Sequence, residues 1–252
     1  MTKESVAGKV AFISGASRGI GAGLARRFSG LGMKLVLCSR SAPILAECDD
    51  VIARAVDVRD EEGIDRLVRD AEERFGAIDL WVNNAGVLDP VKPIRDVSAE
   101  AFREHLDINV VGVFIGMRAY IAHRKRVADS AEGEGVLINV SSGAAWNAYQ
   151  GWGAYCAGKA ALERLSEVVA EEEAGMGLRV HSVAPGVVDT PMQDLVRKSK
   201  IEDFPTVERF RGMKREGALN SVEFVADEFL AIAFEPARRS DSVALRLESE
   251  PK

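Results

Sequence analysis

Short, nearly continuous apolar segments alternate with amphipathic helical patterns along most of this chain, and this alternation constrains its fold more than any other feature. The predicted strands are residues 9–14, 34–38, 51–56, 80–83, 136–140 and 178–184, and the predicted helices are residues 20–31, 61–75, 98–126 and 154–173. Apolar strands without polar alternation are typical of a sheet buried on both faces, and intervening helices imply right-handed parallel crossovers. The sequence therefore predicts an α/β protein with a doubly wound parallel sheet. We find no linker or internal repeat and expect a single domain over residues 1–252.

Composition and charge exclude several classes of protein. With 33 Lys and Arg against 39 Asp and Glu, the net charge of −6 opposes the basic surface that a nucleic-acid binder requires. No apolar stretch approaches the roughly 20 residues that span a bilayer, and the polar N-terminal residues do not resemble a secretory signal. The three cysteines lack CxxC spacing and the three histidines are scattered. We therefore expect reduced thiols, no metal site and a cytoplasmic protein.

The segment 189–216 interrupts the alternation of strands and helices. It is polar, contains Pro191 and Pro205, and directly follows the last predicted strand. In open α/β sheets the ligand crevice lies outside the carboxyl ends of the strands, and long excursions there are more often functional than simple connections. The sequence predicts a substrate loop over residues 189–216, with a plain connection as the alternative.

Three glycines follow the first predicted strand and open the first long helix. Gly15, Gly19 and Gly21 have G-x-x-x-G-x-G spacing, which lets the backbone turn tightly and approach a pyrophosphate at the helix N-terminus. An ordinary glycine-rich turn is the alternative. The position between strand and helix favours a Rossmann-type dinucleotide-binding loop.

The end of the second predicted strand indicates which nicotinamide cofactor is bound. A carboxylate there would accept hydrogen bonds from the ribose 2′-OH of NAD and repel the 2′-phosphate of NADP. This chain has Ser39, Arg40 and Ser41 instead, and Arg18 of the glycine loop adds a second guanidinium group. The pattern predicts NADP(H), which suits guanidinium groups; two simply solvated arginines are the alternative.

Tyr155 and Lys159 lie four residues apart at the start of a predicted helix, so both project from one face. Reduction of a carbonyl requires a proton donor, and a phenol with a pKa of about 10 is too weak to act well near neutral pH. A neighbouring ammonium group favours the phenolate. We therefore expect Tyr155 to be the proton donor and Lys159 to lower its pKa, although such pairs also occur on ordinary helix surfaces.

Taken together in this order, the motifs resemble those of the short-chain dehydrogenase/reductase family. Residues 14–21 resemble its TGxxxGIG motif with Ser14 in place of Thr, residues 83–86 match NNAG, and residues 185–190 resemble PGxxxT. The resemblance implies that Ser142 orients the carbonyl oxygen and that Asn109 holds a water that connects the catalytic lysine to solvent. The cofactor contacts that it implies are Gly15, Ser17, Arg18, Gly19, Ile20, Gly21, Arg40, Ser41, Asp57, Val58, Asn83, Ala85, Gly86, Tyr155, Lys159, Pro185, Gly186, Val188 and Thr190.

The second half of the chain resembles a narrower group, the sepiapterin reductases and related benzil reductases. The segments that carry this resemblance are 151–160, 184–193, 201–204 and 214–219. It implies NADPH-dependent reduction of one carbonyl of an α-dicarbonyl or aryl ketone. The substrate contacts that it implies are Ser142, Trp152, Tyr155 and Met192, with Trp146 and Tyr149 as further candidates for an aromatic wall. Core packing is the alternative for these aromatic side chains.

One departure from the group concerns the C-terminal tail. Animal sepiapterin reductases carry an Asp there that anchors the pterin, and our alignment places Leu245 at that position, with Asp241 or Glu248 as substitutes if the register slips. A leucine would leave the polar pterin edge unpaired at a cost of roughly 1–3 kcal/mol, which favours an apolar diketone or aryl ketone.

The chain also lacks the longer ending with paired glycines of many tetrameric relatives, so we expect a homodimer formed through helices 98–126 and 154–173. An NADP+-dependent secondary-alcohol dehydrogenase and a non-enzymatic NADPH sensor stay open as alternatives.

Overall fold

The computed structural model describes residues 2–129, 131 and 133–251, and the strands within them form one parallel sheet. The strands are β1 (Val10–Ser14), β2 (Lys34–Ser39), β3 (Val51–Ala55), β4 (Leu80–Asn83), β5 (Gly135–Val140), β6 (Leu178–Ala184) and β7 (Ala244–Arg246). Their order in the sheet is β3-β2-β1-β4-β5-β6-β7. The predicted doubly wound parallel sheet is confirmed. Its first six strands agree with the predicted ones to within one residue at each end, and the tail adds β7.

Helices cover both faces of this sheet. They are α1 (Lys3–Val6), α2 (Gly19–Gly30), α3 (Glu61–Phe75), α4 (Ala99–Leu106), α5 (Gly112–Arg126), α6 (Gly153–Glu172), α7 (Pro191–Lys198), α8 (Val207–Arg215) and α9 (Val222–Phe234). Because side chains alternate along a strand, Ile13 of β1 enters the core beneath α2 and α9, while Phe12 enters the core beneath α3, α5 and α6. None of the described helices combines the length and apolarity that crossing a bilayer would require.

The helix predicted over residues 98–126 is interrupted in the structure. Ser98 caps α4 as expected, since its side chain accepts a hydrogen bond from Ala101 N at 3.1 Å. A π-helical turn (Asp107–Val111) then separates α4 from α5. Asn109 lies in this turn, and its side chain is bonded to the backbone of Val87, far away in sequence. This long-range attachment accompanies the bulge, and such bulges are frequent at functional sites.

The segment 189–216, expected to be a loop, contains α7 and α8, and we refer to it as the α7–α8 segment. Four of its apolar side chains are buried: Val196, Phe204, Val207 and Phe210 form a third apolar cluster together with Trp152, which precedes α6. The segment is therefore largely helical and not irregular, because these apolar residues pack together, and its role at the substrate stays a prediction.

Candidate active site

The carboxyl ends of the central strands open into a cavity of about 780 Å³. The glycine loop and the turns after β2, β4 and β5 line one part of it. The start of α6, the turn after β6 and the α7–α8 segment line the rest. This is the position that the doubly wound topology predicts for a ligand crevice.

The glycine loop between β1 and α2 is shaped for close approach of a ligand. Gly15 and Gly19 have φ angles of 68° and 58°, values that side chains disfavour. A Cβ atom at Gly21 would lie 2.5 Å from Gly15 O and would overlap Asn84 Nδ2. Arg18, the N-cap residue of α2, makes no side-chain hydrogen bond to the first turn. These features fit the pyrophosphate of a dinucleotide, whose charge is favoured at a helix N-terminus.

The hydroxyl of Ser14 joins the glycine loop to the turn after β4. It accepts hydrogen bonds from Asn84 N at 3.0 Å and from Ala85 N at 3.1 Å. The Asn84 side chain forms a further hydrogen bond between the same two segments by donating to Ser14 O at 2.9 Å. The replacement of the family's Thr by Ser therefore leaves a working hydroxyl at this position. Asn84 also lines the cavity and was not among the predicted contacts.

The end of the cavity beside β2 carries unpaired positive charge. Arg18 and Arg40 are exposed, line the cavity and have no ion-pair partner among the described residues. Ser39 also lines the cavity, and its hydroxyl donates to Ser41 O at 2.6 Å. The carboxylate of Asp57 accepts from the Arg59 guanidinium at 2.9 and 2.8 Å, which lowers the pKa of Asp57. Two guanidinium groups are thus available to a ligand at this end.

The proposed catalytic side chains meet at the start of α6. Tyr155 and Lys159 project from one face of the helix, are 8% and 6% exposed, and line the cavity. Lys159 Nζ lies 5.6 Å from the centroid of the Tyr155 ring and donates to Val140 O, at the end of β5, at 2.6 Å. Ser142 follows β5 on the same wall, where its Oγ accepts from Ala144 N at 3.2 Å. The structure therefore brings Ser142, Tyr155 and Lys159 to one place.

Burial controls the protonation of both groups on α6. It raises the pKa of Tyr155 to about 12, opposed by a hydrogen bond with Ser142, and it lowers the pKa of Lys159 to about 8. The lowering of the Tyr155 pKa by Lys159 that we expected is not found, because desolvation is the largest influence on the phenol. At neutral pH Tyr155 is consequently a phenol that can donate a proton.

Asn109 lies behind the cavity wall and holds the backbone of Val87 through hydrogen bonds. Its Oδ1 accepts from Val87 N at 2.8 Å, and its Nδ2 donates to Val87 O at 2.8 Å and to His105 Nε2 at 2.7 Å. Because His105 Nε2 accepts this bond, its Nδ1 carries the proton and donates to Asp89 O at 2.7 Å. Burial lowers the pKa of His105, which keeps the ring neutral. Asn109 itself does not line the cavity, whereas Val87 and Asp89 do.

Asn83, Gly21 and Trp146, like Asn109, lie outside the cavity lining. Asn83 is buried in the core, where it accepts from Trp81 Nε1 and donates to Asn139 Oδ1, both at 2.8 Å. Gly21 contributes only the absence of a side chain. Trp146 is 45% exposed, lies outside the cavity lining and donates its indole N–H to the Glu163 carboxylate. Neither interpretation left open for Trp146, the substrate wall or core packing, matches this exposed position, where the bond to α6 holds the ring.

An aromatic wall forms the substrate side of the cavity. Trp152 is 5% exposed, stacks on Phe204 with ring centroids 4.6 Å apart, and meets Tyr155 edge-on at 5.5 Å. Tyr149 packs beside Trp152 at 5.1 Å, and Phe210 at 5.5 Å. Met192, as predicted, and Phe210, which was not, line the cavity next to them. Such a wall suits a flat apolar ligand.

No group of three or more His, Cys, Asp and Glu side chains is placed to hold a metal ion anywhere in residues 2–129, 131 or 133–251.

Comparison with known proteins agrees with this geometry. The short chain dehydrogenase family model matches residues 9–201. The chain is 33% identical over 227 residues to benzil reductase ((S)-benzoin forming) of Bacillus cereus, covering 85% of this chain and 89% of that protein. It is 34% identical over 195 residues to 2-(R)-hydroxypropyl-CoM dehydrogenase of Xanthobacter autotrophicus, covering 73% and 76%. It is also similar to the structure of 3-ketoacyl-(acyl-carrier-protein) reductase of Brucella melitensis complexed with NADH, with a TM-score of 0.81, 30% identity and coverage of 96% and 97%. The resemblance seen in the sequence, including that to benzil reductases, is confirmed.

Proposed function

This chain belongs to the short chain dehydrogenase family, and we propose that it is an NADPH-dependent reductase of one carbonyl of an α-dicarbonyl or aryl ketone. Family membership makes it an oxidoreductase that interconverts carbonyl and alcohol groups with a nicotinamide cofactor. The observation that carries the finer proposal is the meeting of Ser142, Tyr155 and Lys159 in one cavity with an aromatic substrate side.

The side chains at the start of α6 suit a proton donor to a carbonyl oxygen. A nicotinamide bound in the cavity would supply the hydride. Ser142 and Tyr155 are positioned to hydrogen-bond the carbonyl oxygen, and Tyr155 donates its proton as negative charge develops there. The raised pKa of Tyr155 means that the phenol is protonated at neutral pH, the state that a proton donor to a carbonyl requires. Lys159 lies beside the phenol, with Nζ 5.6 Å from the centroid of the Tyr155 ring, and is held there by its bond to Val140 O.

The choice of NADPH is supported by Arg18 and Arg40. Both guanidinium groups line the cavity without a partner among the described residues, at the end where the ribose 2′-phosphate would lie. Planar guanidinium groups hold phosphate through paired, charge-assisted hydrogen bonds. The position that would carry an NAD-selecting carboxylate is Ser39, whose hydroxyl is already bonded to Ser41 O.

The preference for an apolar diketone over a pterin is supported by the tail. Leu245 packs against the core cluster beneath α2 and α9, and neither Asp241 nor Glu248 lines the cavity. A pterin would thus lack a carboxylate anchor from β7. The aromatic wall and the similarity to benzil reductase both support an aryl substrate. The α7–α8 segment, which supplies part of that wall, would cover the bound substrate.

Two further proposals concern support of the site. Asn109 is a positioning residue, because its amide fixes the backbone of Val87 at the cavity wall. We also infer a homodimer formed through α5 and α6, on which Phe114 and Val168 are 44% and 42% exposed. A contiguous exposed apolar patch marks an interaction site, and these two side chains would contribute to one in the proposed dimer.

The test is consumption of NADPH with benzil, 1-phenyl-1,2-propanedione and sepiapterin, with NADH in parallel. We expect turnover of the aryl diketones with NADPH and little with NADH or sepiapterin. Tyr155→Phe should lower kcat about 10²- to 10⁴-fold while NADPH binding persists. The matched control is Tyr120→Phe, since Tyr120 is a core tyrosine bonded to Ile78 O at 3.1 Å and lies outside the cavity.

Unchanged turnover by Tyr155→Phe would refute the proposed mechanism. Faster oxidation of secondary alcohols with NADP+ than reduction of any ketone would favour the dehydrogenase alternative. Tight NADPH binding without turnover of any carbonyl would favour the sensor.

A further inference from the structure

Besides Arg18 and Arg40, three exposed cationic side chains line the cavity without an ion-pair partner among the described residues. Lys198 closes α7, Arg209 lies on α8 beside Phe210, and Arg246 ends β7. All three are exposed, and none has an ion pair or a side-chain hydrogen bond with any described residue. Lys198 and Arg209 belong to the α7–α8 segment, which also carries the apolar side chains that face the substrate region.

Cations of the same segment that do not line the cavity are mostly neutralised. Arg197 pairs with Asp194 at 2.5 Å and approaches Asp189 at 3.8 Å. Lys214 also pairs with Asp189, at 2.5 Å, and Arg211 pairs with a glutamate of its own helix. Asp189, Asp194 and Glu208 are therefore paired with cations outside the cavity lining. Arg215 is the exception, since it is exposed and unpaired among the described residues but does not line the cavity.

The carboxylates that line the cavity are too few to balance its positive charges. Asp57 is bonded to Arg59 and Asp194 to Arg197. Asp89 is the remaining carboxylate of the lining, and its side chain has no partner among the described residues. One free carboxylate thus stands against three free cations, apart from the two arginines at the cofactor end. Unpaired cations gathered at a cavity attract and orient anionic ligands.

We propose that the substrate carries an oxyanion group, a carboxylate or its sulfonate or phosphate equivalent, which is bound by Lys198, Arg209 and Arg246. The aromatic wall packs against the body of the substrate, the carbonyl lies at Tyr155, and the oxyanion reaches the cations of the α7–α8 segment and β7. Arginine suits this role because its planar fork can hold two oxygens of one group. The inference rests on the proposed function, since it assigns the substrate class of the same cavity.

The experiment compares benzil that carries a carboxylate on one ring with its neutral methyl ester, and with the corresponding sulfonate. We expect kcat/KM for the acid to exceed that for the ester about tenfold, and added salt to lower this preference, as screening requires. Arg209→Gln, Arg246→Gln and Lys198→Gln should each lower the preference about three- to fivefold. Combining the two arginine substitutions should abolish it. Arg215→Gln, which removes an equally unpaired charge outside the cavity, should leave the preference intact.

Two further measurements distinguish an oxyanion site from cofactor binding by the same cations and from failure of the proposed function. The dissociation constant of NADPH should be the same in Arg209→Gln and the wild type, because a rise would assign the cation to the cofactor. Binding of acid and ester to the Tyr155→Phe protein saturated with NADPH reports the anion site without turnover. Equal affinity for acid and ester there, or equal kcat/KM in the wild type, would overturn the oxyanion site while leaving the reductase intact. No turnover of acid, ester or benzil would refute the proposed function, and the binding ratio would still decide the oxyanion site.

Discussion

Replacing Gly21 by Ala tests whether the glycine loop binds cofactor through close backbone approach. The added methyl group would overlap Asn84 Nδ2 and lie 2.5 Å from Gly15 O, about an ångström inside ordinary contact distance. Asn84 Nδ2 has to move, and with it the bonds to Ser14 O at 2.9 Å and Gly15 O at 3.3 Å. Two neutral hydrogen bonds contribute about 1–3 kcal/mol together.

This loss has two measurable consequences. A chain of 252 residues unfolds with an entropy of about 0.5 kcal/mol/K, so Tm should fall by about 2–6 °C. The displaced loop should also weaken NADPH binding about tenfold or more, measured by calorimetry. Gly30→Ala is the matched control, since Gly30 lies at the other end of α2 and an added Cβ meets nothing within 4 Å. If Gly21→Ala and Gly30→Ala bind NADPH equally well, the close-approach argument is wrong.

Two further predictions concern charge. Arg40→Ser should raise the KM for NADPH about 10- to 100-fold, the range of one charge-assisted hydrogen bond, and leave the KM for NADH nearly unchanged. The control is Arg26→Ser, which removes an exposed arginine outside the cavity. An equal rise in KM for both cofactors, or a similar effect of Arg26→Ser, would show that Arg40 does not bind the 2′-phosphate. Stability should decline in acid, because burial lowers the pKa of His105, His123 and His181 below their usual 6.5. The unfolded chain then binds more protons, so the free energy of unfolding is fully present above about pH 6.5 and falls as pH drops through the lowered values. Tm measured between pH 7.5 and 5 checks this, and His123→Gln should flatten the slope; a Tm that does not change over this range would contradict it.

The sheet was predictable from sequence because its strands are buried on both faces. A strand such as β1 needs apolar residues at every position, and that continuous run marks its ends in the sequence. The glycine loop and the Tyr155–Lys159 pair were equally readable, since their spacing along one turn or one helix decides their geometry. These features depend on neighbours in the chain.

What the sequence did not predict depends on contacts between distant residues. The π-helical turn around Asn109 accompanies its bonds to Val87, and the pKa of Tyr155 depends on burial by other elements. Trp146 lies on the surface because Glu163 accepts its indole hydrogen bond. Arg246 reaches the cavity because of the register of β7, in which it is paired with Ala184. The local patterns give no sign of these pairings.

The stack of Trp152 on Phe204 has a consequence for how new specificities can arise in this protein. One ring precedes α6 and the other belongs to the α7–α8 segment, and a side chain on Gly151 would overlap the backbone oxygen of Asp203 next to the stack. Residues in such contact respond to substitution non-additively. A change of substrate range through this stack would therefore need paired substitutions at positions 152 and 204. Libraries of single substitutions should then contain few variants with a new substrate range.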